Sequence, residues 1–294
     1  MCEPPAPAGR RAPAGYDAGS ARGPARRPPD RRAMTETAAS TPLVRIDGPI
    51  ATIVLNRPAQ RNALHDADLH ALLDACARLD ADPSVRVVVL AANTVGQKRP
   101  VFCAGYNLGG FDDGSHGPGL FEKVIDTVES LRAITICALK GSVYGGATDL
   151  VLACDLRVGL AGTEFRMPAA ALGLHYYPNG LRRYVGRLGV DLAKRAFLTA
   201  KALPIEALDA VGAFESVAPD AAAFDATLDA LAATVAGLAP LAAQSTKRSL
   251  NEIAEGRFEL DALRERERIA HASEDFAEGR AAVAARRAPR FTGR

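Results

Sequence analysis

No C-x-x-C pair occurs in this chain, whose five cysteines (Cys2, Cys76, Cys103, Cys137 and Cys154) are odd in number and scattered; neither a disulfide framework nor a zinc site is indicated. Such thiols fit a reducing compartment, and the expectation is a cytoplasmic protein. Long apolar runs are missing as well. Those present, such as Ile134 to Leu139, fall far short of the roughly 20 residues that cross a bilayer, so no membrane partner is expected. Charge of one sign is equally scarce. The 36 basic and 34 acidic residues leave a net charge of +2, and no stretch of folded character carries a run able to track a phosphate backbone, which argues against nucleic acid as the partner. His65, His70, His116 and His271 show no H-x-x-x-H spacing, so no catalytic metal is expected.

What remains is a chain of 294 residues that is 48% hydrophobic, enough to fill a sizeable core. Residues 1–41 stand apart. They are rich in Ala, Pro, Gly and Arg without apolar periodicity and are expected to be a disordered extension. Prolines and the acidic Glu3, Asp17 and Asp30 distinguish them from a transit peptide. Translation is expected to start at Met34, which intact-mass measurement of the native protein checks.

From Ile50 the pattern becomes regular. Ile50 to Leu55 reads as a buried strand ending in the turn Asn56-Arg57-Pro58, and Leu69, Leu72, Leu73, Cys76 and Leu79 fall at helical spacing behind Asp66 as N-cap. Pro83 stops that helix before a strand over Val85 to Ala91. A polar, glycine-containing loop runs from Asn93 to Gly119, followed by a helical face (Leu120, Phe121, Val124, Ile125, Val128, Leu131) and a strand, Ile134 to Leu139. A helix over Gly145 to Ala153 and a strand over Leu156 to Gly159 continue the alternation, which predicts an α/β fold. After about Asp220 only helices are expected. Phe224, Leu228, Leu231 and Val235 stripe one, Pro240 opens another carrying Leu250 and Ile253, and the last, with Arg264, Glu265, Arg266, Glu267 and Arg268, offers a solvated face or a subunit contact.

Two glycine-containing loops each follow a strand, where backbone N–H groups can be aimed at a ligand. One is Phe102-Cys-Ala-Gly-Tyr-Asn-Leu108. The other is Lys140-Gly-Ser-Val-Tyr-Gly-Gly-Ala-Thr-Asp149, in which Gly145 and Gly146 allow close approach as a helix begins. Neither matches a phosphate loop or a dinucleotide fingerprint, and either alone could be a turn. Cys103, inside the first, reads as a small packing residue.

Together, and in this order, these segments resemble the crotonase (enoyl-CoA hydratase/isomerase) superfamily over roughly Val44 to Arg294. Asn56-Arg-Pro-Ala-Gln-Arg-Asn-Ala-Leu64 is similar to that family's first CoA-contacting turn, Phe102 to Leu108 to its F-x-A-G-x-D-L loop, and Gly141 to Asp155 to its G-x-x-x-G-G-x-x-E…D segment. Glu274 to Arg280 and Arg287 to Gly293 resemble its C-terminal signature. The resemblance implies a spiral core of β-β-α turns over 42–220 and a helical oligomerisation region over 221–294, assembled as a homotrimer or hexamer. It implies a lyase or isomerase acting on an acyl-CoA thioester, with coenzyme A supplied by the substrate and no further cofactor. The oxyanion hole would be the backbone N–H of Tyr106 and of Gly146, stabilising the charge that collects on the thioester oxygen as an enolate forms. Arg61, Ala63, Ala104, Leu108 and Gly145 would line the substrate channel.

Two positions depart from the family. Where a hydratase holds water between two glutamates, this chain has Asp149 and, after Phe165-Arg-Met-Pro168, Ala169; Glu164 lies five residues early. Gly141-Ser-Val-Tyr-Gly-Gly-Ala is similar to G-S-V-W-G-G-A of the methylmalonyl-CoA decarboxylases, and Gly173-Leu-His-Tyr-Tyr-Pro-Asn-Gly180 to their G-V-P-Y-N-L-V-G. Tyr176 then falls on the tyrosine that orients the departing carboxylate, and His175 replaces a proline beside it. The preferred expectation is decarboxylation of a malonyl-type thioester. Hydration or isomerisation supported by Asp149, and acyl-CoA binding without turnover, are the alternatives.

Overall fold

The computed structural model describes residues 41–107 and 118–294, all within a compact unit running from Ala39 to Arg294. The N-terminal extension, but for its last residue, and Leu108 lie outside the described residues. Two antiparallel strands, β1 (Leu43–Asp47) and β2 (Ile50–Leu55), and the helix α1 (Asp66–Ala81) begin the fold. Three turns on one plan follow: β3 (Val87–Ala92), β4 (Val101–Cys103) and α2 (Pro118–Ser130); β5 (Ile134–Leu139), β6 (Ser142–Tyr144) and α3 (Ala147–Ala153); β7 (Leu156–Leu160), β8 (Glu164–Arg166) and α4 (Pro178–Thr199). The first strand of each turn joins a six-stranded sheet and the second a four-stranded one, so the chain spirals. β9 (Leu203–Pro204), α5 (Ile205–Asp209) and β10 (Ser216–Ala218) close the two sheets, giving the orders β1-β2-β3-β5-β7-β10 and β4-β6-β8-β9. From β2 to β10 the larger sheet is parallel throughout. This is the α/β spiral the sequence predicts.

Side-chain alternation explains how one sheet serves two cores. Val88, Leu90, Cys137 and Leu139 point toward α1, α2 and α3, whereas Val87, Val89, Ile136 and Ala138 point to the opposite face. That second face is covered by Phe224, Ala232 and Val235 of α6 (Ala221–Ala236).

Several boundaries differ from expectation. His65, not Asp66, caps α1, because its N–H donates to the Asp68 carboxylate (2.9 Å) while Asp66 begins the helix. Inside the segment read as a loop from Asn93 lies β4, three residues being too short to show a period. The charge-laced helix α8 (Leu260–His271), which follows α7 (Pro240–Ala254), is not the last. Ser273 caps a further helix, α9 (Glu274–Ala285), by accepting from the Phe276 N–H. The C-terminal signature acquires a structural meaning here. Buried Asp275 accepts from the N–H groups of Thr292 (2.7 Å) and Gly293 (2.9 Å), and Glu278 holds Arg287, which together fasten the tail to α9. Among the described residues no single helix is long and apolar enough to cross a membrane.

Candidate active site

Successive turns of a spiral place like elements side by side, and β4 and β6 are accordingly parallel neighbours. Their C-terminal ends bring the two glycine-containing loops together. Gly105 (φ +100°) is required there on two grounds, since its backbone is left-handed and a Cβ would stand 2.9 Å from the Tyr144 carbonyl oxygen and 3.5 Å from the Gly146 nitrogen. The early turn is fastened to the same place. Ala104 N–H donates to Arg61 O (2.9 Å), Leu64 N–H to Gly105 O (2.9 Å) and Asn107 N–H to Leu64 O (2.8 Å), and the Tyr106 hydroxyl donates to Asp66 at 2.5 Å. Arg61, Ala63, Ala104, Tyr106, Gly145 and Gly146, read from distant parts of the sequence, thus meet at one locus. Gly146 is the N-cap of α3, so its N–H belongs to the helix end that lacks intrahelical acceptors.

Sequence reasoning missed the wall of this locus. Phe121, buried on α2, lies against Gly146 so closely that a Cβ on that glycine would stand 2.7 Å from the ring. Its ring centroid is 5.7 Å from that of Tyr106 and 6.5 Å from that of Tyr177, and Tyr177 stacks on Tyr176 at 4.3 Å. Phe121 was legible only as one member of an apolar stripe, and nothing local marked it as facing a loop two elements away.

Asp149 is fully buried and its charge is already engaged. Its Oδ1 accepts from Arg183 Nε and its Oδ2 from Arg183 Nη2, both at 2.9 Å, and Oδ2 also accepts from the Tyr177 hydroxyl. The Tyr176 hydroxyl stands 3.5 Å from the same oxygen. Arg183, itself fully buried, reaches further through Nη1 to Asp126 (2.7 Å) and Glu129 (2.9 Å). Burial alone would lower the Arg183 pKa, but its hydrogen bonds and charge interactions with Asp149, Asp126 and Glu129 outweigh it and raise the pKa, so the guanidinium stays charged. Burial, and then the Asp149 charge, push both tyrosines above the ordinary phenol range and keep them protonated. No second carboxylate joins them from the expected position: Ala169 is buried there, and exposed Glu164 on β8 accepts from Tyr144 (3.2 Å). His175 is exposed, in contrast to its buried neighbour Tyr176.

Cys103 is wholly buried, and burial pushes its thiol up to about 12; Cys76 is pushed up to about 12 for the same first reason. Neither is a nucleophile at neutral pH. With folded values above the ordinary 9.0, the stability these groups contribute is complete below about pH 9 and is lost as pH rises toward 12. Urea unfolding at a series of alkaline pH values is expected to show this fall, and Cys103→Ser with Cys76→Ala to flatten it.

Comparison with known proteins agrees with this architecture. The model of the family described as enoyl-CoA hydratase/isomerase matches residues 45–294. The chain is 32% identical to the mitochondrial enoyl-CoA hydratase domain-containing protein 2 of Bos taurus, over 83% of this chain and 84% of that protein. It is 28% identical to the 2,3-dehydroadipyl-CoA hydratase of Escherichia coli K12, over 83% of this chain and 96% of the relative. Its structure is similar to the crystal structure of enoyl-CoA hydratase from Mycobacterium tuberculosis H37Rv, with a TM-score of 0.74 and 31% identity over 87% of this chain and all of that one. The spiral, the paired glycine loops and the family match agree, and the chain belongs to the enoyl-CoA hydratase/isomerase family of the crotonase superfamily.

Proposed function

We propose that this chain carries an acyl-CoA thioester through an enolate held by the backbone N–H groups of Tyr106 and Gly146, and that the reaction is decarboxylation of a malonyl-type thioester. One observation carries the reading: the carboxylate at the hydratase's first acid–base position is spent on Arg183, and the second position is Ala169. Hydration needs a base and an acid within hydrogen-bonding reach of one water. Decarboxylation needs neither. The bond between the α-carbon and the carboxylate breaks, its electron pair enters the enolate, carbon dioxide leaves, and a proton from water completes the product. The aromatic wall disfavours the ionised substrate carboxylate, while the backbone donors favour the charge as it moves to the thioester oxygen. Tyr176 orients the departing carboxylate in this reading, with half-buried Tyr177 stacked on it and set edge-on to Phe121.

Arg61, Ala63 and Ala104 line the channel for coenzyme A, which the substrate itself supplies, and His175 stands exposed at the acyl end. The helical C-terminal region, with Leu250, Ile253, Phe258 and Leu260 exposed, is the face on which a trimer or hexamer forms. Light scattering tests that assembly.

The names of the relatives favour hydration instead, and both reactions are read by one experiment. Purified protein is incubated with malonyl-, methylmalonyl- and crotonyl-CoA, and the products are followed by mass. Loss of carbon dioxide from an acid-bearing thioester is expected. Gain of water by crotonyl-CoA would overturn the decarboxylase reading, and saturable binding without any mass change would make the chain an acyl-CoA-binding protein.

A further inference from the structure

Arg183 is buried in full yet is held by three carboxylates on two different helices. Its Nε and Nη2 grip Asp149 on α3, and its Nη1 grips Asp126 and Glu129 on α2. Each helix also carries one half of a contact at the thioester site. Asp149 is bonded through its N–H to the Gly146 carbonyl (3.0 Å), so moving Asp149 moves Gly146. Phe121, whose ring packs on Gly146, lies on α2 about one and a half turns before Asp126. The planar fork grips Asp149 through two donors and turns a third toward α2; a lysine ammonium, a single point of charge, cannot keep the bidentate grip on α3 while holding α2.

We propose that Arg183 is a positioning residue for the enolate site, tying α3 to α2 and thereby fixing the Phe121 ring against the Gly146 amide. This rests on the enolate reading given above. The ring packs against one side of Gly146, and a donor held in a fixed direction stabilises a developing oxyanion better than one free to move. Arg183 itself touches no reacting atom, because all its partners are the chain's own carboxylates.

The test uses acetoacetyl-CoA, whose acidic α-proton makes the enolate visible as a separate ultraviolet band. The full chain is expected to hold a larger enolate fraction than free solution does at the same pH. In Arg183→Lys, assayed below its melting temperature, the bound enolate-to-keto ratio is expected to fall about 10-fold while Kd changes by less than about 3-fold. Arg182→Lys, which alters bonds to Glu129 and Glu255 but none to Asp149, is expected to keep the ratio. Should Arg183→Lys fail to fold, Asp126→Asn removes the charge from one α2 link and leaves the Asp149 pair intact; its ratio is expected to fall about 3-fold. A ratio within about 2-fold of wild type in the folded Arg183→Lys, or in Asp126→Asn if only that variant folds, overturns the positioning role. If the unaltered chain binds the probe without raising its enolate fraction, the enolate reading falls and the role of Arg183 with it.

Discussion

Gly146→Ala is expected to lower turnover of the cognate thioester by about 100-fold with the fold preserved, because a displacement near 1 Å at a reacting centre has an effect of that order. The backbone there is ordinary helical (φ −57°), so alanine meets no strain of its own. The obstacle is Phe121, whose ring atoms would lie 2.7 and 2.8 Å from the new Cβ. Buried among core side chains, the ring cannot swing freely into solvent, so either the ring or the amide must shift. Both changes harm the same step, the one by loosening the packing that holds the donor and the other by misdirecting it. Losing an oxyanion donor altogether raises a barrier by about 3 to 4 kcal/mol, which bounds the effect from above. Steady-state kinetics with circular dichroism checks the prediction. Phe121→Ala added to Gly146→Ala removes the clash but also the ring that Gly146 packs against, and recovery is therefore expected to be partial.

Asp149→Asn separates the two views of this residue. If the carboxylate were a free acid–base group, its loss would abolish chemistry and scarcely change stability. Held as it is between Arg183 and the Tyr177 hydroxyl with no solvent access, its removal leaves a buried guanidinium short of one partner. Breaking a buried pair from one side costs about 3 to 5 kcal/mol, and the lower figure applies because Asp126 and Glu129 still face the guanidinium. For a chain of this size, about 3 kcal/mol corresponds to a fall of roughly 6 to 12 °C in Tm. Calorimetry is expected to show that fall. An unchanged Tm with abolished turnover would return Asp149 to the role of an acid or base.

Most of the fold was legible because its signals are local. The buried strand Ile50–Leu55, the strand Ile134–Leu139 and the helix opened by Pro240 each carry their own period or stop signal within a few residues. Strands such as β4 and β8 were not, since three residues contain no period and their pairing partners lie a full spiral turn away. The site divides in the same manner. Gly105 and Gly145 mark left-handed backbone locally and Gly146 a close approach, and their order along the chain resembles one family. The partners of Asp149 do not announce themselves. Arg183 sits in a helix beside Arg182 and would pass for surface charge, and only the packing of α2, α3 and α4 together turns it inward. Nor could spacing along the chain reveal that Tyr177, half-buried, hydrogen-bonds Asp149 through its hydroxyl, while Tyr176 lies buried beneath its ring.

The central claim is that this site makes and protonates a thioester enolate without a carboxylate pair. Incubating the purified chain with methylmalonyl-CoA in deuterium oxide and weighing the product tests it most directly. Loss of carbon dioxide with one deuterium carried on the product's α-carbon is the predicted result. Methylmalonyl-CoA recovered intact, with crotonyl-CoA taking up water under the same conditions, would contradict it.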